Sequence, residues 1–475
     1  MRYEMIIGLE VHVELSTKTK IFCSCSTEFG GAPNTHCCPV CTGLPGVLPV
    51  LNEKVVDYAI RVGIATNCEI TQYNKFDRKN YFYPDLPKAY QVSQLYLPIC
   101  RNGHVDIETE NGEKSIGIHE IHMEEDAGKL IHDPHEDVTL CDYNRCGIPL
   151  LEIVSEPDFR SADEVIAYLQ KLKSIFEYLE ISDCKMQEGS MRCDVNLSVR
   201  PIGSDKFGTR TETKNLNSFK AIARAIAAEY ERQIEAIEDG EEIIQETRRW
   251  DDNAGRGYAM RSKENANDYR YFPEPDLPPI EISDKWIERL KAEQPELAHE
   301  KRERYQKEYG LPEYDARMIT EEKAMADFFE KAVSVCGKPK EVSNWIMGDI
   351  FRLLKEKSIE AKQMVLTPEN LSKLIGLIDN GKINRNTAKK VLEAIFDENE
   401  DCGKYVKDNG LEMVNDEGAV ESVIARVLEN NPQSVSDYKN GKQKAFGYIV
   451  GQCMKELKGK ANPATVNELL RKTLG

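Results

Sequence analysis

The 475-residue sequence predicts an α+β protein, built on β-sheet in its first part and all-helical in the rest. Three observations predict this. Apolar and polar residues alternate with period two around residues 9 and 195, the pattern of half-buried strands. From about residue 295 helical spacing with helix caps takes over, and Pro and Gly become sparse. The length itself, at roughly 150 residues per domain, calls for about three domains.

The elements follow in order. Leu9, Val11, Val13 and Leu15 alternate with Glu10, His12 and Glu14, a first strand. Ser161 and Glu164 form a capping-box pattern. Val165, Ile166, Leu169, Leu172, Ile175, Phe176 and Leu179 then follow at helical spacing. Val195, Leu197 and Val199 alternate with Asp194, Asn196, Ser198 and Arg200, a second strand. Tyr271–Pro279 carries four prolines and reads as a rigid loop near a domain edge. Thr367-Pro368-Glu369-Asn370 caps a later helix, and Asn430–Ser434 punctuates the chain again. The expected divisions are 1–294, 295–405 and 406–475, with no internal repeat.

With 40% hydrophobic and 30% charged residues the chain can bury sizeable cores and is not disordered in bulk. No apolar run approaches the ~18 residues of a membrane span. Met1–Ile7 lacks the basic and apolar regions of a signal peptide, so a soluble cytoplasmic protein is expected. Its fourteen cysteines are then expected as free thiols or metal ligands. A net charge of −18 excludes a globally basic nucleic-acid coat but leaves room for one basic patch. Residues 436–475 supply a candidate, with seven Lys and Arg471 against Asp437, Glu456 and Glu468. Lys439, Lys442, Lys444, Lys455, Lys458 and Lys460 could contact a phosphate backbone, or form the solvated face of a helix pair.

Cys23-Ser24-Cys25 and, twelve residues on, Cys38-Pro39-Val40-Cys41 make a four-thiolate pattern able to close a tetrahedron on Zn²⁺. His36 and Cys37 could replace one of them. All four positions are filled by protein, which points to a structural zinc. Elsewhere, Glu10, His12 and Glu14 share one strand face. His122-Met123-Glu124-Glu125-Asp126 crowds three carboxylates beside a histidine, and Glu152 interrupts the apolar run Pro149–Val154. Such donors suit Mg²⁺, which takes oxygen ligands and bridges to phosphates. Glu14 and Glu120 read more simply as solvent-facing. Asp77–Asp85, with Lys88, Tyr90 and Gln91, interleaves basic groups and tyrosines; it fits a phosphate-and-base site or an ordinary turn. The chain has no P-loop, no GxGxxG, no HExxH and no GxSxG, nor a signature for hydrolysing glutamine.

Taken together, several long segments resemble one family, the GatB subunit of the tRNA-dependent amidotransferase GatCAB. They are Ile7–Leu15, Lys75–Asp85, His122–Lys129, Leu151–Asp158, Lys214–Ser218, Asp268–Asp276 and Gly447–Gln452. The resemblance runs from residue 3 to 474 in one order. It implies a cradle-like catalytic domain carrying a zinc knuckle at 23–41, a helical domain, and a small YqeY-like helical tail. It implies ATP- and Mg²⁺-dependent phosphorylation of the side-chain carboxylate of Glu on tRNA(Gln), or Asp on tRNA(Asn). Ammonia from the amidase subunit then displaces the phosphate, and the heterotrimer is completed by a small third subunit. By motif match, Glu10, His12, Glu125 and Glu152 are expected to hold Mg²⁺, with Glu124 in reserve. Lys79, Tyr81, Tyr83, Lys88, Asp194, Asn196, Lys214 and Asn217 are expected at ATP and the acyl phosphate, and Arg270 behind them. Two other classes compete: a non-catalytic tRNA-binding scaffold with a structural zinc site, and a self-contained glutamine amidotransferase. Inward carboxylates speak against the first and the missing nucleophile signature against the second.

Overall fold

The computed structural model of the chain describes residues 2–133, 135–262, 266–413, 417–457, 461 and 463–475. They form two compact units, Met1–Leu297 and Ala298–Gly475. The first is built on a nine-stranded sheet. In spatial order its strands are Arg256–Ser262 (β14), Glu246–Asp251 (β13), Thr211–Lys214 (β12), Met191–Pro201 (β11), Tyr3–Glu14 (β1), Pro149–Ser155 (β10), Gly112–Glu125 (β7), Cys100–Thr109 (β6) and Glu69–Ile70 (β2). Every pairing is antiparallel except that of β12 with β13. Three small sheets accompany it. Phe272–Pro273 (β15) and Tyr90–Ser93 (β5) flank Asp77–Asn80 (β4), Ile280–Glu281 (β16) pairs Tyr73–Asn74 (β3), and Lys129–His132 (β8) pairs Thr139–Asp142 (β9).

The period-two strands explain the layering. On β1, Leu9, Val11 and Val13 are fully buried, while Glu10, His12 and Glu14 face the other way and are only partly buried. Burying each such aliphatic side chain contributes about 2 kcal/mol before the entropy of ordering it. Helices Glu53–Ala65 (α1), Ala162–Tyr178 (α2) and Phe219–Glu238 (α3) pack against the sheet. Each is capped from its own sequence: Asn52, Ser161 and Ser218 side chains accept from the amides of Lys54, Glu164 and Ala221. The capping box differs from its expected form by one residue. The Glu164 carboxylate accepts at 2.7 Å from the amide of Arg160, not from that of the cap Ser161, and it also holds Lys114. A fourth helix, Asp284–Ala292 (α4), packs on α1, where Trp286 donates to Asp57 at 2.7 Å.

One buried carboxylate of α3 sets an acid-stability limit. Burial favours protonated Glu229, but bonds from Arg232, Gln233 and Thr211 outweigh it and lower its pKa below 4.5. A depressed acid contributes stability that is present above its ordinary pKa and lost as pH falls through the folded-state value. Glu229→Gln is expected to flatten the acid limb of the stability curve below pH 4.5. Urea midpoints across that range check this, and an unchanged slope would show that the network contributes nothing.

The second unit is helical throughout its described residues, as the caps predict. Thr367 Oγ1 accepts from the Asn370 amide at 3.3 Å with Pro368 in the first turn. Pro432 starts another helix in the same way. Two separate apolar cores form. One gathers buried residues from Tyr305 to Val406, around Phe329, Trp345, Leu371 and Leu392. The other gathers Val420 to Leu474, around Ile424, Ile449, Val466 and Leu470. No helix among the described residues is long and apolar enough to cross a membrane.

Candidate active site and thiol cluster

The register of four strands lines up the polar face. Glu10 lies opposite Asp194, and Gly8 opposite Asn196, on β11. His12 lies opposite Glu152 on β10, and Glu152 opposite His122 on β7. The Glu152 carboxylate comes within 3.3 Å of His12 Nε2 and 3.0 Å of His122 Nε2. Glu124 lies 3.6 Å from His12 Nε2 and 3.8 Å from His122 Nε2. Burial by itself would lower the His12 pKa, but Glu152, Glu124 and Asp194 outweigh it and raise it to about 9. The same balance raises His122 and, in return, lowers Glu152. His12, Glu124 and Glu152 could hold a metal ion through one ligand atom each.

Here one expectation is corrected. Glu125, favoured as a metal ligand over Glu124, does not join this group. On β7, Ile116 and Ile118 are buried and so are Ile121 and Met123, so the inward-facing parity switches between 118 and 121. The pairing of β7 with β10 shifts register there, and Asn102 of β6 takes a φ of 52°. Unbroken alternation would have carried His122 and Glu124 into the core and left Glu125 at the site. The irregularity reverses this. Glu125 instead binds Lys88 and accepts from the amide of Val92 at 3.0 Å. Lys88 goes with it, and both line a cavity of about 240 Å³ with Lys20, Cys23, Cys41 and Arg78.

The remaining expected residues divide. Asp194 binds Lys214, which lies 3.1 Å from Glu212, and Asn196 donates to Glu10 at 3.0 Å. Glu10, Asp194 and Glu212 thus make a second group of carboxylates close enough to share a metal. Lys79 sits over the rings of Tyr269 and Tyr81, at 5.1 and 5.9 Å from their centroids. Burial opposes its charge, but Tyr271, Glu124 and Glu152 outweigh burial and raise its pKa. Tyr83 and Asn217 are exposed and stand outside these groups. Arg270 is exposed too, and its carbonyl accepts from Asn80 at 2.9 Å. Among the basic tail residues, Lys439, Lys442, Lys444 and Lys455 are exposed, Lys442 lying 3.0 Å from Asp437. Lys458 and Lys460 lie outside the described residues. Glu14, expected in solvent, is half-buried, and burial beside Asp126 raises it to about 8.

His122, Glu212, Tyr269 and Tyr271 were not among the expected site residues. His122 could have been found from its shared parity with Glu120 and Glu124. The two tyrosines flank Arg270, but nothing local says that they meet Lys79.

The four cysteines of the paired motifs do converge. Cys41 Sγ is 3.9 Å from Cys23, 3.8 Å from Cys25 and 3.6 Å from Cys38. These separations match the edge of about 3.8 Å of a tetrahedron with metal–sulfur bonds of about 2.3 Å. Cys41 accepts hydrogen bonds from the Cys23 thiol and the Cys38 amide, which outweigh burial and lower its pKa to about 4. Burial and its sulfur neighbours raise Cys25 to about 11. His36 and Cys37 take no part: the His36 amide donates to Asn144 at 2.7 Å, and the Cys37 thiol to the Asn34 carbonyl. The donor set therefore fits a thiophilic, tetrahedral cation.

Residues 5–288 match the family model of the GatB/GatE catalytic domain, and residues 327–474 that of the GatB domain. Similar proteins include the B subunits of the aspartyl/glutamyl-tRNA(Asn/Gln) amidotransferases of Lachnoclostridium phytofermentans and Agathobacter rectalis. Each is 65% identical over 472 residues, covering 99% of both chains. The corresponding B subunit from Caldicellulosiruptor bescii is 58% identical over 477 residues, 100% of this chain and 99% of that one. With its catalytic domain, its C-terminal domain and its full length all matched, the chain belongs to the GatB family of amidotransferase subunits.

Proposed function

We propose that this chain carries out the ATP-dependent amidation of misacylated tRNA, converting Glu-tRNA(Gln), Asp-tRNA(Asn) or both. The observation that carries the reading is the convergence of His12, Glu124 and Glu152 beside the half-buried ammonium of Lys79. A carboxylate is a poor acyl donor. Transfer of the ATP γ-phosphoryl group to its oxygen releases ADP and leaves an acyl phosphate. Ammonia then attacks the acyl carbon, inorganic phosphate departs, and the amide forms. Catalysis of such a transfer is mostly positioning plus charge neutralisation.

The chain's own residues have clear parts in this. Once His12 gives up its proton, His12, Glu124 and Glu152 would hold Mg²⁺, and Glu10, Asp194 and Glu212 offer a second place for it. The cation, when bound, neutralises phosphate oxygens and orients the transferring group. Lys79 packs over Tyr81 and Tyr269, lies in the field of Tyr271, Glu124 and Glu152, and supplies a positive charge next to them. Lys214, held between Asp194 and Glu212, can meet a phosphate from the other side. Cys23, Cys25, Cys38 and Cys41 would hold Zn²⁺ as a staple for their loop. Ammonia would come from a partner amidase, in a cytosolic heterotrimer with a small third subunit. The two separate helical cores support a division after Leu411 and before Val420, later than the expected 405, with the last part contacting tRNA.

A scaffold without chemistry is the weaker reading, because buried carboxylates repel phosphate unless a metal intervenes. The deciding experiment is ADP release by the complex with its amidase inactivated, given ATP, Mg²⁺ and Glu-tRNA(Gln). The expected result is ADP that depends on the charged tRNA, with Gln-tRNA formed only when ammonium is added. Tight tRNA binding without tRNA-dependent ADP would overturn the proposal. For the tail, the double charge reversal Lys439→Glu with Lys444→Glu should raise the KM for charged tRNA and lower its salt slope by about two. An unchanged KM would remove these lysines from the interface.

A further inference from the structure

Lys20 is 1% exposed, and among the described residues its ammonium is the only buried lysine nitrogen without a hydrogen-bond partner. A buried ammonium is costly unless a counter-charge lies close by. The stem of Lys20 runs where the thiol cluster meets the sheet. A methyl group on Gly147 would lie 3.6 Å from Lys20 Cδ, 3.8 Å from Cys41 Cβ and 3.9 Å from Glu125 Oε2. Lys20 also lines the cavity shared by Cys23, Cys41, Lys88 and Glu125.

Two negative groups could answer this charge. The first is Glu125, but its single charge is already matched by Lys88, and it also accepts from the Val92 amide. The second is the sulfur cluster. Four thiolates around one dication leave a net dianion, and such a centre needs nearby positive charge when it is taken out of water. Lys20, whose stem lies beside Cys41 and lines the same cavity, is the cation placed to supply it.

We propose that Lys20 is the charge partner of a metal–tetrathiolate centre formed by Cys23, Cys25, Cys38 and Cys41. The proposal rests on the reading that these thiols hold zinc. It has a consequence of opposite sign in the two metal states. Without metal, Lys20 is a nearly uncompensated buried charge and a burden on the fold. With metal, it offsets one of the centre's two negative charges.

The test uses the full chain, zinc-loaded and zinc-stripped, as wild type, Lys20→Met and Lys20→Arg. Methionine keeps the length and most of the volume of the stem and removes the charge. The stripped Lys20→Met chain is expected to melt above stripped wild type, with a smaller rise in Tm on adding zinc. From the loaded chain it should lose zinc to a chromogenic chelator about tenfold faster or more, while Lys20→Arg stays near the wild-type rate. Equal zinc loss from Lys20→Met and wild type would overturn the proposal. If stripped Lys20→Met does not fold, the chelator rates of loaded Lys20→Gln and Lys20→Arg decide the matter on their own. A wild-type chain that neither carries nor takes up zinc overturns the zinc reading first, and this proposal with it.

Discussion

Glu152→Gln is expected to abolish charged-tRNA-dependent ADP formation, lowering it by about a thousandfold or more, while tRNA affinity stays near wild type. The substitution keeps the shape of a side chain lodged between two strands and removes only its charge. That charge has two uses. Among the described residues it is the one carboxylate within 3.3 Å of both His12 and His122, so it fixes both rings. It is also one of three groups whose ligand atoms lie close enough to share a cation. Glutamine offers a neutral oxygen in place of an anion, which Mg²⁺ binds far less well. The paired control is Glu125→Gln, which should leave Mg²⁺ affinity near wild type, because Glu125 binds Lys88 and the Val92 amide instead. Steady-state ADP release, Mg²⁺ titration and tRNA binding on the same preparations check both variants. Activity of Glu152→Gln within about tenfold of wild type would remove the acidic row from the chemistry.

The second large effect is expected at the thiol cluster. Cys41→Ser should lose the bound metal and unfold the loop from Cys23 to Val50 locally, without melting the nine-stranded sheet. Cys41 is the only buried member of the four, and its sulfur lies within 3.9 Å of the other three. Structural zinc sites supply on the order of 10 kcal/mol of folding free energy to small domains that have little else. This loop has other anchors, which limits the damage. Asn34 and Asp142 bond each other's segments, and Asn144 accepts from the His36 amide and donates to the Ala32 carbonyl. Strands β8 and β9 should therefore loosen along with the loop. Amide exchange in 23–50 and 129–144, with metal content measured alongside, checks this. Metal lost with no change in exchange would mean that the hydrogen bonds alone hold the loop.

Much of the fold was legible because it is encoded locally. Alternation marked β1 and β11, a Ser cap with helical spacing marked α2, and Thr367-Pro368 marked a later helix start. Each is a pattern spanning fewer than twenty residues, and no tertiary contact is needed to read it. The thiol cluster was legible for a similar reason. Two short-spaced cysteine pairs can chelate almost independently of the surrounding fold, so spacing alone brings the four sulfurs together. Half of the acidic row was legible too, since Glu10, His12 and Glu152 lie on strands whose alternation is unbroken.

The rest depended on long-range geometry. Lys79 meets Tyr269 and Tyr271 only because β15 pairs with β4 across nearly two hundred residues. Tyr83, Asn217 and Arg270 sit inside recognisable motifs, yet they are exposed and join neither group of carboxylates, and a motif does not record which side chains meet. Among neighbours, Glu124 and Glu125 are chemically identical, and the register irregularity on β7 decides which of them faces His12. The sequence by itself thus determined the class of fold, the strand faces and the donor types. Only the tertiary structure decided which donors meet, because strand register and one irregularity of a single residue turn a side chain from one face of a sheet to the other.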